Sequence, residues 1–115
     1  MLSKREERYL ERAVGVALTS TQKYRHGCII VKNGKVVSVA TNDRRNNPNI
    51  CLFPKAEAGK HAEQEAIKKS NTDLRGATLF VARVGRSGNP LLSKPCPACQ
   101  KAIDSAGIKK VFYTE

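Results

Sequence analysis

His61, Glu63, Cys96 and Cys99 are the side chains in this sequence best suited by type and spacing to do chemistry. They occur as His61-Ala62-Glu63 and, further on, Pro95-Cys96-Pro97-Ala98-Cys99. On a helix, the Cys-x-x-Cys spacing puts both sulfurs on one face, a turn apart. A helix start also carries positive partial charge, which favours thiolate, the form that binds metal. Two thiolates and one neutral imidazole suit Zn²⁺ with its fourth position left to water. Glu63 is too near His61 in sequence to share its helical face, so it makes a poor fourth ligand. Beside a metal-activated water, its carboxylate would accept a proton and return it to a substrate nitrogen, a role worth roughly a hundred- to ten-thousand-fold in rate.

Other uses of these residues fit less well. A redox Cys-x-x-Cys would follow a strand in a thioredoxin-like pattern and would leave His61 and Glu63 idle. A zinc ribbon needs a second Cys-x-x-Cys, which the sequence lacks. Cys28, in an apolar run, reads as a small core residue. Cys51 lies in a loop-like stretch, and as a fourth protein ligand it would close the site against catalysis.

The 115 residues fit one domain with a real though modest core. No apolar run approaches the length of a membrane span. The charged start, Met1 to Arg8, has no apolar segment of the signal-peptide kind, which points to an intracellular, cytoplasmic protein. Twenty-one Lys and Arg against ten Asp and Glu give a formal net charge of +11. Such a field attracts polyanions: nucleotides, nucleic acid or acidic surfaces. The charges are spread along the chain, and the size of the excess favours a phosphate-bearing substrate over an ordinary solvated surface.

Elements to position these groups can be read from the pattern. Ser3-x-x-Glu6 is a capping box opening a helix, and Tyr9, Leu10, Ala13, Val14, Ala17 and Leu18 carry its apolar face to about Ser20. Cys28 to Val31 and Val36 to Ala40 flank Asn33-Gly34, the strongest short hairpin signal. Residues 43 to 60 read as a long loop of the length usually kept for function. A helix begins near His61 with Ala62, Ala66 and Ile67 on one side. A third strand covers 78 to 82, and 85 to 90 is rich in turn residues. The helix opened by Pro97 should bury Ala98, Ala102, Ile103 and Ala106 and stop at Gly107, with a last strand at 111 to 113. The order α-β-β-α-β-α-β predicts an α/β fold, a three-layer α/β/α arrangement with a mixed sheet of four to five strands.

The two motifs together resemble the cytidine deaminase superfamily, whose signature is H-x-E followed by P-C-x-x-C. The likeness extends to Gly27 through Val37, Gly76 through Val81 and Ala106 through Val111. It implies a single zinc-dependent deaminase domain over 1–115, with His61, Cys96 and Cys99 as zinc ligands and Glu63 as proton carrier. It further implies that Asn42 contacts the substrate sugar or base, and that the Ala62 backbone N–H meets the base carbonyl. The reaction would convert cytosine to uracil with release of ammonia. Relatives often assemble as oligomers, so a homo-oligomer is an implied option. The chain stops soon after the last strand, where many relatives continue, so the sheet is expected to be smaller or its edge covered by a partner subunit.

The look of the hairpin and third strand favours cytosine over adenine, on a cytidine or deoxycytidine nucleotide. Single-stranded DNA or RNA is the alternative substrate, and a non-catalytic, zinc-stabilised nucleic-acid-binding module is the second alternative. Arg44, Arg45, Arg86 and Lys94 are candidate phosphate contacts. Phe53, the one aromatic of the long loop, could stack on a base or anchor the loop; aromatics are otherwise scarce for a single-strand binder. The stretch from Arg83 to Lys94 is longer than in the tRNA-type enzymes, and it joins the long loop in shaping substrate choice.

Overall fold

The computed structural model describes residues 2–20, 25–42, 62–70, 72–85 and 87–114. His61, Cys51, Phe53, Arg44, Arg45 and Arg86 lie outside the described residues, as does the expected loop from 43 to 60. The elements are α1 (Lys4–Ala17), β1 (Arg25–Lys32), β2 (Lys35–Thr41), α2 (Ala62–Lys69), β3 (Thr78–Val84), β4 (Pro90–Leu91), α3 (Pro97–Ser105) and β5 (Lys110–Tyr113).

α1 opens on the expected capping box. The Glu6 N–H donates to Ser3 Oγ at 3.1 Å, and the Ser3 N–H donates back to the Glu6 carboxylate at 2.8 Å. The helix stops at Ala17, short of the expected Ser20, because its last turn tightens: the Thr19 and Ser20 N–H groups reach back only three residues, to Val16 and Ala17. Leu18, expected on the apolar face, is thereby turned out and exposed.

The hairpin between β1 and β2 turns on Asn33 (φ 52°) and Gly34 (φ 76°), both in the left-handed region that a two-residue turn of this kind requires. β1 pairs antiparallel with β2 on one side and with β3 on the other. β3 carries two partners on its far edge. β5 runs parallel along Thr78–Val81, and the two-residue β4 runs antiparallel along Arg83–Val84. The sheet is therefore mixed, as the element order predicts, and its five strands fall within the four to five expected. The sequence pattern does not predict β4, since two residues are too few to show a period.

Alternation along the strands sorts the core into two faces. Ile29, Val31, Phe80 and Ala82 point to α1, where they meet Ala13 and half-buried Tyr9, Leu10 and Val14. Phe80 stacks between Tyr9 and Phe112 at centroid distances of 5.4 and 5.3 Å. Cys28, Ile30, Ala40, Leu79 and Val81 point the other way, against Ala62 and Ala66 of α2 and Ile103 of α3. The result is three layers, with α1 on one face and α2 and α3 on the other. Full burial of a side chain such as Ile29 or Phe80 is worth about 1.5–3 kcal/mol each.

α3 ends as predicted. Gly107 takes φ 80°, and the Ile108 N–H returns to the Ile103 carbonyl, with both isoleucines buried in the same cluster. Its burial differs from expectation at the first turn. Ala98 is exposed, Ala102 and Ala106 are half-buried, and Cys99 and Ile103 form the fully buried stripe. The helix is thus rotated so that a thiol, not an alanine, faces the sheet.

Gly27 is where α1 closes on the sheet. A Cβ there would stand 2.6 Å from the Ala13 carbonyl oxygen and closer still to the Ala17 nitrogen, both backbone atoms. Gly27→Ala must therefore push the helix off β1 and should cost about 3 kcal/mol or more. Urea unfolding should show the midpoint falling accordingly, with the slope unchanged.

Candidate active site

α2 and α3 lie side by side on one face of the sheet, and each begins at a functional group. Cys96 is the N-cap of α3, in extended backbone conformation, with Pro97 in the first turn. Pro costs nothing there because that N–H has no helical partner. Cys99 follows one turn in and is fully buried, while Cys96 is half-buried. Neither sulfur is joined in a disulfide, and the two lie one helical turn apart at the start of α3. The chain enters this cap under restraint. The Ser93 hydroxyl lies 2.9 Å from the Val81 carbonyl and 2.8 Å from Thr114 Oγ1, and the Thr114 N–H donates to it at 2.8 Å. This buried knot ties the segment before Cys96 to β3 and to the end of β5.

Glu63 stands in the first turn of α2 and is 4% exposed. α2 is pinned by the Ser38 hydroxyl of β2, which donates to the Ala66 carbonyl at 2.6 Å. Burial first, then the Glu63 charge and the Cys96 sulfur beside it, push the Cys99 thiol far above its usual range. Gln64 Nε2 donates to Cys99 Sγ at 3.6 Å and opposes that shift. The Cys28 thiol, on β1 beneath the helices, is likewise pushed well up by burial and by the Glu63 and Cys99 charges. Cys28 is the core residue the sequence predicts, and it is also the floor under this corner.

The corner therefore gathers groups that become anionic in one desolvated place, a charge that a divalent cation would offset. Soft sulfurs with an imidazole would select a metal such as zinc over a hard cation. Among the described residues no three His, Cys, Asp or Glu side chains form a complete ligand cluster; the sulfur pair is the described part of the expected set, and His61 precedes the first described residue of α2. Ala62 is fully buried at the start of α2.

Asn42, just past β2, is fixed by two donors. Its Oδ1 accepts from the His26 N–H at 3.0 Å and from the Ser20 hydroxyl at 2.8 Å. A backbone N–H can only donate, so the amide oxygen must occupy this side and Nδ2 the opposite branch. Lys94 is exposed. Sequence reasoning did not find Ser20, Gln64 or Ser38, since each acts through a contact between distant segments. Only the helix phase of Gln64, one residue past Glu63, could have drawn notice.

The fold is of the cytidine deaminase-like α/β class. Residues 3–115 match the model of the cytidine and deoxycytidylate deaminase zinc-binding region, and the chain belongs to that family. It is 32% identical over 92 residues to the riboflavin biosynthesis protein RibD of Actinobacillus pleuropneumoniae, across 75% of this chain and 19% of that one. It is 33% identical over 97 residues to the deoxycytidylate deaminase of Enterobacteria phage T2, across 81% and 48%. The chain thus spans under half the length of either relative. The crystal structure of apo dCMP deaminase from cyanophage S-TIM5 superposes with a TM-score of 0.74 at 29% identity, covering 98% of this chain and 84% of that one. The same cyanophage enzyme has also been solved with dCMP and dUMP. Among the described residues no helix is long and apolar enough to cross a membrane.

The structural duty of Asn42 separates from any duty toward a ligand. Asn42→Ala should cost about 1–3 kcal/mol, since it strands the part-buried His26 N–H. Asn42→Asp keeps an acceptor and should lose little. Urea unfolding of the two variants beside the parent measures the difference.

Proposed function

We propose that this chain is a zinc-dependent hydrolytic deaminase that converts the cytosine base of a cytidine or deoxycytidine nucleotide to uracil, in a single domain over residues 1–115. The carrying observation is that α2 and α3 begin side by side, with Gln64, next to Glu63 on α2, donating to Cys99 Sγ at 3.6 Å, in a chain of a family defined by its zinc-binding region. The deoxycytidylate deaminases among its relatives support the nucleotide form of the substrate.

His61, Cys96 and Cys99 would hold the metal. Zinc, when bound, supplies Lewis acidity and makes water a nucleophile near neutral pH. The chain's own residues do the rest. The water oxygen forms its bond to C4 of the base, and the bond from C4 to the exocyclic nitrogen breaks. Glu63 takes one proton from water and gives it to N3 of the base, then carries the second from the oxygen on C4 to the departing nitrogen, which leaves as ammonia as that oxygen becomes the carbonyl. Burial of Glu63 suits this work, because it holds the carboxylate in a place shielded from bulk water. The Ala62 N–H, in the first turn of α2, has no partner within the helix and donates to the base carbonyl. Asn42, its oxygen already engaged by Ser20 and His26, presents Nδ2 to the substrate.

The net charge of +11 favours a second substrate form, a cytosine in single-stranded nucleic acid. A panel of dCMP, cytidine and a cytosine-bearing oligonucleotide, read by ammonia release, decides between them. A protein that binds the oligonucleotide with steep salt dependence and releases no ammonia from any of the three is a binding module and not a deaminase. The parent should carry about one zinc per chain. Glu63→Ala should keep its zinc and lose about a hundred- to ten-thousand-fold in turnover, and Cys99→Ala should lose zinc itself. Full activity in Glu63→Ala would refute the mechanism.

A further inference from the structure

The sheet beneath the site is built in rows, and the rows tell where its mouth lies. Cys28 pairs with Ala40 on β2 and with Val81 on β3, so these three form one row on the α2–α3 face. Ala62, the first residue of α2, packs in one cluster with these three, and Gln64 reaches Cys99 of α3, which places both helix starts above that row. The helices run away from it toward earlier rows. Ala66 of α2 is bonded to Ser38, which pairs with Ile30, and α3 hands the chain on to β5 at Lys110, beside Thr78. The row that lies beyond both helix starts is therefore the next one in the other direction.

That row is Asn42, His26 and Arg83. His26 pairs with Arg83 in the register, and the His26 N–H bonds Asn42. Alternation puts residues 26 and 83 on the same face as Cys28 and Val81, about 7 Å further along the strands. All three are half-buried. Arg83 is held at the point where β3 takes up β4. Its N–H donates to Thr114 Oγ1 at 3.2 Å, and it pairs with Leu91. A guanidinium and an imidazole, side by side at the rim and next to an amide, make a planar donor set suited to a phosphate.

We propose that Arg83 and His26 bind the 5′-phosphate of the nucleotide whose base enters between Glu63 and the sulfur pair, and so set a preference for nucleotide over nucleoside. This rests on the deaminase reading of the same site and assigns the anion contact to the sheet row, not to the loop cations Arg44, Arg45 and Arg86.

The test compares dCMP with deoxycytidine on the zinc-loaded protein, by turnover and by isothermal titration calorimetry. The parent should bind dCMP more tightly than deoxycytidine. In Arg83→Gln the ratio of kcat/KM for dCMP over that for deoxycytidine should fall about 10- to 100-fold, the loss of one charge-assisted contact, and the loss should sit in KM. Arg83→Lys should recover part of it, and His26→Val should show a smaller fall in the same ratio. If Arg83→Gln does not fold, Arg83→Lys and His26→Val carry the test. An unchanged ratio, or equal binding of dCMP and deoxycytidine by the parent, overturns the inference. A parent that turns over neither compound yet binds dCMP in an Arg83-dependent way refutes the deaminase reading and leaves the phosphate contact standing.

Discussion

A carboxylate and two thiols buried in one dry corner repel one another as soon as they ionise, and the rest of the fold is arranged to hold them there regardless. Glu63 and Cys99 are both almost wholly removed from water, and Cys28 lies beneath them. No single helix could impose this. Two helices are needed, each beginning at the corner, each fastened elsewhere: α2 by Ser38 to β2, α3 by its buried Cys99–Ile103 stripe and its Gly107 stop. Positive ends of two helix dipoles then converge where negative charge must sit. The residues beneath are small, with Cys28, Ala40 and Ala62 all fully or nearly fully buried, so the helix starts can approach the sheet closely.

The opposite face makes that precision affordable. α1 packs through alanines against β1, with Gly27 allowing backbone-to-backbone approach, and Phe80 stacks between Tyr9 and Phe112. This face uses large apolar side chains and no chemistry. Because successive residues of a strand point to opposite faces, one β1 segment serves both: Ile29 and Val31 stabilise, while Cys28 and His26 belong to the site side. A one-residue slip in register would exchange these roles outright. The Asn33-Gly34 turn sets the pairing Val31↔Val36, and a bulge at Val37 shifts it by one residue before Cys28 faces Ala40, so turn and bulge both bear on the chemistry some distance away.

Much of this was legible in local pattern. The capping box, the Asn-Gly hairpin, the helix starts at Ala62 and Pro97 and the Gly107 stop each depend on a few adjacent residues, and each appears where expected. The order of elements sufficed for three layers and a mixed sheet. What could not be read depends on packing between distant segments. The rotation of α3 that exposes Ala98 and buries Cys99 follows from the sheet it meets. The tightened turn that exposes Leu18 follows from the closure at Gly27. β4 exists because β3 extends to Val84 and offers it an edge. The Ser20–Asn42–His26 and Ser93–Thr114 contacts join residues far apart in sequence. His61 lies outside the described residues, so the imidazole remains an expectation from sequence.

The fold also divides its labour by element. Glu63, Cys96 and Cys99 sit at helix starts, where geometry is fixed by the helix itself. Groups at the rim sit at strand ends, and those ends change with the loops that follow them. β3 illustrates the consequence. Its first half, Thr78–Val81, is locked between β1 and β5, whereas Arg83 and Val84 are paired to β4, which belongs to the longer stretch leading to Cys96. The same stretch carries Ser93, whose buried hydroxyl fixes the approach to Cys96. A change in the length of this connection can therefore alter what the rim presents while Ser93 keeps the sulfur pair in place. Substrate range can vary on such a scaffold without disturbing the chemistry, because the two are anchored to different ends of one short segment.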